Sequence, residues 1–474
     1  MILLAILAVR ILALWLNRTD LFFDEAQYWS WAKEPALGYY SKPPLIAWVI
    51  GLTTAVCGDG EPCVRLASPV LHTATAWVIF LIGVRLYDQR AGFWSAIVYA
   101  TLPGVSVSSG IISTDVPFLL CWALALWAFV RLRQSAALGD ALLLGLAIGM
   151  GLLARYSMAF FVGSILVALV VMRGTGERIG PGRWLAVGLG ALLVASPNLY
   201  WNAANGFPTF GHTADNAKWT GSLFHPLKAL EFFGAQFGVF GPVLFGALIV
   251  IVWRAMRKRL PDPDRLLLCF VLPILLIYVV QAFLSRAHAN WAAAGYVAAT
   301  VLVVATMLRE GAWSAFRTSL GLHAVVAVVI ALAPAFAGRL NLPFARDPFQ
   351  RLLGWQEMAG RVRSEVETAA RKGRPYAVVL LDDRGTLAEH LYYLRDLDRP
   401  ILAWPSGPTP RDHYELTRPF RGEGPALLVS QTGAPGALLR RFTTVEQRLS
   451  RAVGQGRDWR PLVLYHLEGF KGFK

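Results

Sequence analysis

The chain has 474 residues, 55% of them hydrophobic and 16% charged, with a mean hydropathy of +0.48. That balance excludes an ordinary soluble globular protein and reads as a polytopic membrane protein. The formal net charge of +15 lies in loops, with no basic helix interleaved with aromatics, so it argues against a nucleic-acid partner and for contact with anionic membrane lipids.

Residues 1–338 are a series of apolar runs broken by short polar loops, whereas residues 339–474 carry 37 of the 75 charged residues and no run long enough to span a bilayer. The expected fold is a polytopic α-helical membrane body of about eleven spans followed by a small C-terminal α/β soluble domain. Residues 1–16 (MILLAILAVRILALWL) are followed by no small-residue cleavage site and read as an uncleaved first helix. The first outer loop, 17–61, contains the stretch Phe23–Leu45, FDEAQYWSWAKEPALGYYSKPPL. It joins the adjacent carboxylates Asp24 and Glu25 to Tyr28, Trp29, Trp31, Tyr39 and Tyr40, and closes on Lys42 before Pro43-Pro44. Two acids, sugar-sized aromatic faces and one cation in a single surface loop are more specific than the Trp/Tyr belt of any bilayer interface. Residues 46–57 are too few to span and suit a helix lying at the interface. Cys57 and Cys63 flank CGDGEPC outside the membrane, where a disulfide and two free thiols are both open. Cys121 and Cys269 lie in apolar runs and read as small hydrophobes. Further spans are expected at about 64–86, 91–108, 115–131, 139–154, 157–172, 184–200, 237–253, 266–284, 290–308 and 318–337.

With the N-terminus cytoplasmic, the inner loops hold 14 basic residues against six acids and the outer loops eight against nine. Excess Arg and Lys in every second loop is the positive-inside pattern. It puts the opening loop and the tail on the extracytoplasmic face of the inner membrane. Asp115, in SSGIISTDVPFLL, lies on that face, although an Asp two residues before a Pro is also an ordinary helix start. Arg155 ends a span, where a snorkelling side chain is the alternative. The segment SPNLYWNAANGFPTFGHTADNAKW, with His212, suits hydrogen bonding to a polar ligand. In SRAHANWAAAGY, Arg286 and His288 stand at the outer mouth, where a cation is costly unless it meets water or an anion, so a phosphate partner is inferred. The tail reads as a helix at 355–371, strands at 376–382, ILAW, ALLVS and PLVLYHL, and a helix at 387–394. Asp382-Asp383-Arg384 reads as an exposed strand end. The tail has no Gly-rich phosphate loop, metal-spaced His/Cys set or nucleophile elbow.

The motifs FDEAQYW, YYSKPPLIAW, STDVP, SPNLYWNAANGFPTFGHT and RAHANW resemble those of the integral-membrane glycosyltransferases of the C-type fold. That group includes the dolichyl-phosphate-mannose protein mannosyltransferases, the aminoarabinose transferases of lipid A and the galacturonosyl transferases of lipopolysaccharide core. The resemblance covers the body and not the tail. It implies an essential Asp at Asp24, a donor-phosphate contact at Lys42 and a second Asp at Asp115. Gln27 and Ser41 depart from the aminoarabinose pattern, which has DEARY and an acid before Lys-Pro-Pro, and so lean toward the galacturonosyl subgroup. The implied donor is a sugar on a polyprenyl phosphate and the acceptor an envelope lipid or glycan. Breaking the sugar-phosphate bond develops negative charge on phosphate and asks the acceptor hydroxyl to lose a proton. Lys42 and Arg286 suit the phosphate and Asp24 the proton, with Glu25 and Asp115 orienting; Tyr39, Tyr40, Arg155, His212 and His288 complete the expected binding set. No cofactor is required, although outer carboxylates suffice for a divalent metal. A transporter or flippase of a polar lipid is the competing class, and a non-catalytic membrane subunit a third.

Overall fold

The computed structural model describes residues 1–474 except 217, 220, 221, 340–346, 432, 434, 435, 456, 457 and 474. The principal helices of the body are α1 (Ile2–Leu16), α2 (Phe23–Lys33), α3 (Leu45–Cys57), α4 (Glu61–Leu86), α5 (Gln89–Thr101), α6 (Asp115–Ser135), α7 (Leu138–Ala154), α8 (Ala159–Val171), α9 (Pro181–Ala204), α10 (Pro208–Asp215), α11 (Pro226–Val239), α12 (Pro242–Arg257), α13 (Asp262–Leu284), α14 (Ala293–Arg309) and α15 (Trp313–Leu332). Among the described residues six helices are long and apolar enough to cross a membrane, α4, α6, α9, α13, α15 and the one ending in α14, which with shorter apolar helices make a multi-pass membrane protein. Buried α6 and α14 form its centre, Trp122 meeting Phe161 edge-on at 4.9 Å and Tyr296 stacking on Phe240 at 4.4 Å.

The span expected at 237–253 is not continuous, because α11 and α12 meet at a 118° bend. Gly241 there has φ +91°, and a Cβ on it would stand 2.2 Å from the ring of His323, so only glycine fits the corner. At the end of the body away from the tail, ion pairs join neighbouring helices: Arg131 with Asp140 at 2.8 Å, Arg309 with Asp264 at 2.6 Å and Arg254 with Glu310 at 2.6 Å.

The tail contains α16 (Trp355–Arg371), β1 (Val378–Leu381), α17 (Arg384–Tyr393), β2 (Ile401–Ala403), α18 (His413–Thr417), β3 (Ala426–Ser430), β4 (Phe442–Gln455) and β5 (Asp458–Phe470). The sheet order is β2-β1-β3-β5-β4, with β1 parallel to β2 and β3, and β5 antiparallel to β3 and β4. Edge strand β4 lacks the alternation that would betray it in sequence, since its outer half is mostly exposed on both faces.

The tail does not stand apart from the first outer loop. Trp29, Trp31, Ile46 and Ile50 share one hydrophobic cluster with Trp355, Met358, Tyr392 and Tyr414. Asp20 Oδ2 accepts from Trp355 N at 2.7 Å and so caps α16, Tyr393 accepts from Leu21 N at 2.9 Å, and Tyr392 donates to the Asp59 carbonyl at 2.6 Å. Cys57 and Cys63 form a disulfide at the end of α3.

Candidate active site

The opening acidic stretch, read as a surface loop, is a helix over its first half. Phe22 N donates to Glu25 Oε2 at 2.9 Å, satisfying an otherwise orphaned amide at the start of α2. The aromatic residues face inward, where α2 is held between α3 and the tail: Trp29 meets Tyr392 edge-on at 4.9 Å, and Ser30 Oγ bonds the Tyr414 hydroxyl at 2.8 Å.

The rotation of about 100° between neighbouring residues of α2 turns the two carboxylates into different surroundings. Glu25 is 1% exposed. Its oxygens take Arg65 Nε at 3.0 and 3.2 Å, Arg65 Nη2 at 2.8 Å and Ile112 N at 2.8 Å. Arg65 in turn donates to the Asp20 carbonyl at 2.7 Å and to Thr19 Oγ1 at 3.1 Å. Every lone pair of Glu25 is spoken for, so its geometry is that of a structural anchor and not of an orienter beside the reacting groups. Asp24 points the other way, its side chain 38% exposed and set among Arg384 and Lys42. Burial of the cleft floor raises its pKa above the ordinary carboxylate range, against the lowering influence of Arg384 and Lys42, and Glu25 adds a lesser upward push.

Lys42 follows a tight turn in which Tyr39 N donates to the Lys42 carbonyl at 3.2 Å. The turn is pinned by the Asn-rich segment, whose polar groups serve the fold. Asn198 Nδ2 donates to the Leu37 carbonyl at 2.8 Å, Thr209 Oγ1 to the Tyr39 carbonyl at 2.7 Å, and Tyr156 to Asn198 Oδ1 at 2.7 Å. Gly38 admits this approach, since a Cβ there would lie 2.5 Å from the Trp201 ring. Burial and the nearby Arg155 lower the pKa of Lys42, whereas Asp24 and Asp115 hold it up. Among the described residues no carboxylate pairs directly with its ammonium.

Asp115 begins α6, as a helix-starting acid does, and its carboxylate is held by two polar neighbours. Arg155, at the end of α7, ion-pairs with Asp115 Oδ1, and Asn290 Nδ2 donates to Asp115 Oδ2 at 2.5 Å. Tyr28 lies beneath, fully buried and within the fields of Asp24, Arg384, Asp115 and Arg155 together. Arg286 and His288 are exposed beside this cluster, the His288 ring resting on Trp291 at 5.3 Å; burial, Arg286 and Arg155 lower the His288 pKa. His212 lies 6.2 Å from the Tyr40 ring, its pKa pushed down to about 4 by burial and by Lys42 and Arg384. Tyr40 reaches the tail, donating to the Pro410 carbonyl at 3.0 Å. Tyr39 is not a ligand platform. It is 0% exposed, stacked 4.5 Å from Trp31, with its hydroxyl bonded to the Trp31 carbonyl at 2.9 Å.

The residue that sequence reasoning set aside is Arg384. It leaves β1 at the first position of α17 and enters the cleft, 3.8 Å from Asp24 Oδ1, donating to Gln27 Oε1 at 3.1 Å and lying 5.5 Å from the centre of the Phe23 ring. The signal was a cation at a strand end, which is common; only the docking of the tail on α2 makes it part of the site. Among the described residues no three His, Cys, Asp or Glu side chains converge as a metal ion needs.

A helical membrane body that gathers acids and cations at the end on which a small α/β tail docks defines a C-type-fold integral-membrane glycosyltransferase. Residues 41–201 match the family model described as dolichyl-phosphate-mannose-protein mannosyltransferase. The chain is 36% identical over 408 residues, 86% of its length and 84% of the relative's, to the lipid A galacturonosyltransferase RgtD of Rhizobium johnstonii. It belongs to the same glycosyltransferase family as that enzyme. An undecaprenyl phosphate-alpha-4-amino-4-deoxy-L-arabinose arabinosyl transferase of Pseudomonas aeruginosa is 36% identical over 179 residues, 35% of this chain and 32% of that one. The fold is that of ArnT from Cupriavidus metallidurans, crystallised with undecaprenyl phosphate, at a TM-score of 0.67 and 17% identity over 100% of this chain and 99% of the other.

Proposed function

We propose that the cleft moves a sugar from a polyprenyl-phosphate donor to a hydroxyl of lipid A, core saccharide or another envelope glycoconjugate on the extracytoplasmic face of the inner membrane. The observation that carries this is the charge arrangement: Lys42, Arg155 and Arg384 against Asp24 and Asp115, with Lys42 in no direct ion pair among the described residues. An excess of cations suits a phosphate that gains charge as it leaves. The acceptor oxygen attacks the anomeric carbon, the bond from that carbon to the phosphate oxygen breaks with its electron pair going to phosphate, and the acceptor proton passes to Asp24. Lys42 and Arg155 hold the leaving phosphate, with Arg286 at the rim; Asp115 fixes Arg155; Tyr40, His212 and His288 line the approach. Glu25 acts through the fold.

In this reading the chain crosses eleven times, by α1, α4 to α9, the bent α11–α12 pair counted once, and α13 to α15, and runs from a cytoplasmic N-terminus to an extracytoplasmic tail; among the described residues six of these helices, or seven with the bent pair, are long and apolar enough to cross by themselves. The division into a body of residues 1–338, with the 17–61 loop as its catalytic part, and a tail of residues 339–474 follows the change in character of the chain. Loop 17–61 nevertheless shares its core with the tail.

Incubating the purified protein with a polyprenyl-phosphate sugar and an envelope lipid acceptor tests the reading. Free polyprenyl phosphate and glycosylated acceptor are expected; a sugar-phosphate bond left intact while the lipid changes leaflet would replace the transferase by a flippase. For orientation, a cysteine at Lys218 should react with an impermeant maleimide in whole cells and one at Lys258 should not. The reverse labelling would invert the topology.

A further inference from the structure

Phosphate chemistry leaves one cation of the cleft unexplained. Lys42 and Arg155, the latter fixed by Asp115, are the cations assigned to the leaving phosphate. Arg384 presents a planar fork of five donors. Its contacts are the neutral amide oxygen of Gln27 at 3.1 Å, an approach of 3.8 Å to Asp24 that is too long for a hydrogen bond, and the Phe23 ring at 5.5 Å. The adjacent acid does not answer it, because both Thr386 N and Thr386 Oγ1 donate to Asp383 Oδ2 at 2.8 Å, capping α17. A half-buried guanidinium held by a neutral amide, where a glutamate would have neutralised it, is set for an anion that comes and goes.

We infer that Arg384 reads the carboxylate of an acidic sugar on the donor, so that the substrate class is a polyprenyl-phosphate hexuronate; this rests on the transfer reaction proposed above. The anomeric carbon must lie beside Asp24, where the acceptor hydroxyl loses its proton. In a hexuronate the carboxylate is on C5, joined to the anomeric carbon through the ring oxygen, so it lies on the near side of the ring and within reach of the guanidinium 3.8 Å from Asp24. A carboxylate there accepts two parallel N–H bonds from Arg384, which a hydroxymethyl group cannot do. A sugar bearing an amine instead would meet a like charge. The tail supplies this contact, which gives the soluble domain a role in donor choice. The relative matched over 86% of the chain carries galacturonate, an acidic sugar, in its name.

The test compares undecaprenyl-phosphate galacturonate with undecaprenyl-phosphate galactose as donors for the full-length protein in lipid nanodiscs, reading released undecaprenyl phosphate. Wild type should favour galacturonate, and Arg384→Gln should reduce the ratio of the two kcat/KM values on the order of 10- to 100-fold, the worth of a charged hydrogen-bond pair. Arg384→Lys should keep part of the ratio, because a point charge replaces a fork. Equal use of both donors by wild type overturns the inference, as does an Arg384→Gln variant whose two rates fall together, the behaviour of a phosphate contact. Should wild type cleave neither donor, it is the transferase reading that fails, and the inference with it.

Discussion

The two ends of the membrane body treat charge in opposite ways. At the end away from the tail Asp140, Asp262, Asp264 and Glu310 each stand within 3.1 Å of an arginine, three of the pairs tying one helix end or loop to the next and the Asp262–Arg265 pair lying within α13. At the end covered by the tail Asp115 is closed in the same manner, but Asp24 is 3.8 Å from the cation it faces, Arg384, and Lys42 pairs directly with nothing among the described residues. Charges already neutralised by the protein have little left to offer a substrate. Charges held apart at the floor of a cleft keep their field for a ligand, and they cost the fold stability to keep so. The contrast recurs within α2, where Glu25 belongs to the closed kind and Asp24 to the open.

The largest effect should come from breaking the closed knot beneath α2. Arg65→Met leaves the 1% exposed Glu25 without its partner, and should cost about 3–5 kcal/mol of stability, read as loss of folded protein in a thermal scan. A variant that folds as wild type would place the two carboxylates in the same category and remove the contrast. Next is the open cation. Lys42→Ala should lower kcat/KM for the donor by about 1.5–3 kcal/mol without moving the melting temperature, and Lys42→Arg should recover only part of it. Unchanged donor kinetics would take Lys42 out of the site.

The pH profile sharpens the same point. Burial raises the pKa of Asp24 above its ordinary value, and a base is useful only when deprotonated. Activity should therefore fall as pH drops through that raised pKa, with the acid limb lying above the usual carboxylate range near 3.9. A limb unmoved in Asp24 variants would assign the proton elsewhere. Smallest is the disulfide: Cys57 and Cys63 are 6 residues apart, so their link closes a short loop, and Cys63→Ser should cost about 2 kcal/mol in melting experiments with donor kinetics intact. Loss of transfer at full stability would tie this loop to the chemistry.

Much of this was legible in the sequence because charge at the mouth of apolar helices is costly and seldom incidental. Asp24 and Lys42 stood out as an acid pair and a lone cation among aromatics, Asp115 and Arg155 as charges at helix ends, and the helix 355–371 and four of the five tail strands by periodicity. Tertiary partners were not legible. Nothing local tells Tyr39 from Tyr40, yet one is stacked beneath Trp31 and the other faces His212. Adjacency made Glu25 look like a partner of Asp24, although helical geometry turns neighbours about 100° apart and sends it to Arg65. The asparagines near Asn198 read as ligand groups and instead anchor the Lys42 turn. Arg384 joins the cleft from 357 positions beyond its contact Gln27, through a docking that no spacing rule anticipates.

The most direct test sets the two neighbouring carboxylates against each other in one assay, measuring polyprenyl-phosphate release by Asp24→Asn and Glu25→Gln proteins matched for folded amount. Asp24→Asn should lose on the order of 10²–10⁴ in turnover, the worth of a positioned base, with melting temperature near wild type. Glu25→Gln should lose stability first and, in the folded fraction, far less turnover. Retention of more than about a tenth of wild-type turnover by Asp24→Asn, a loss well short of a general base's usual contribution, would contradict the account and move the proton to another group, with Asp115 the first to examine.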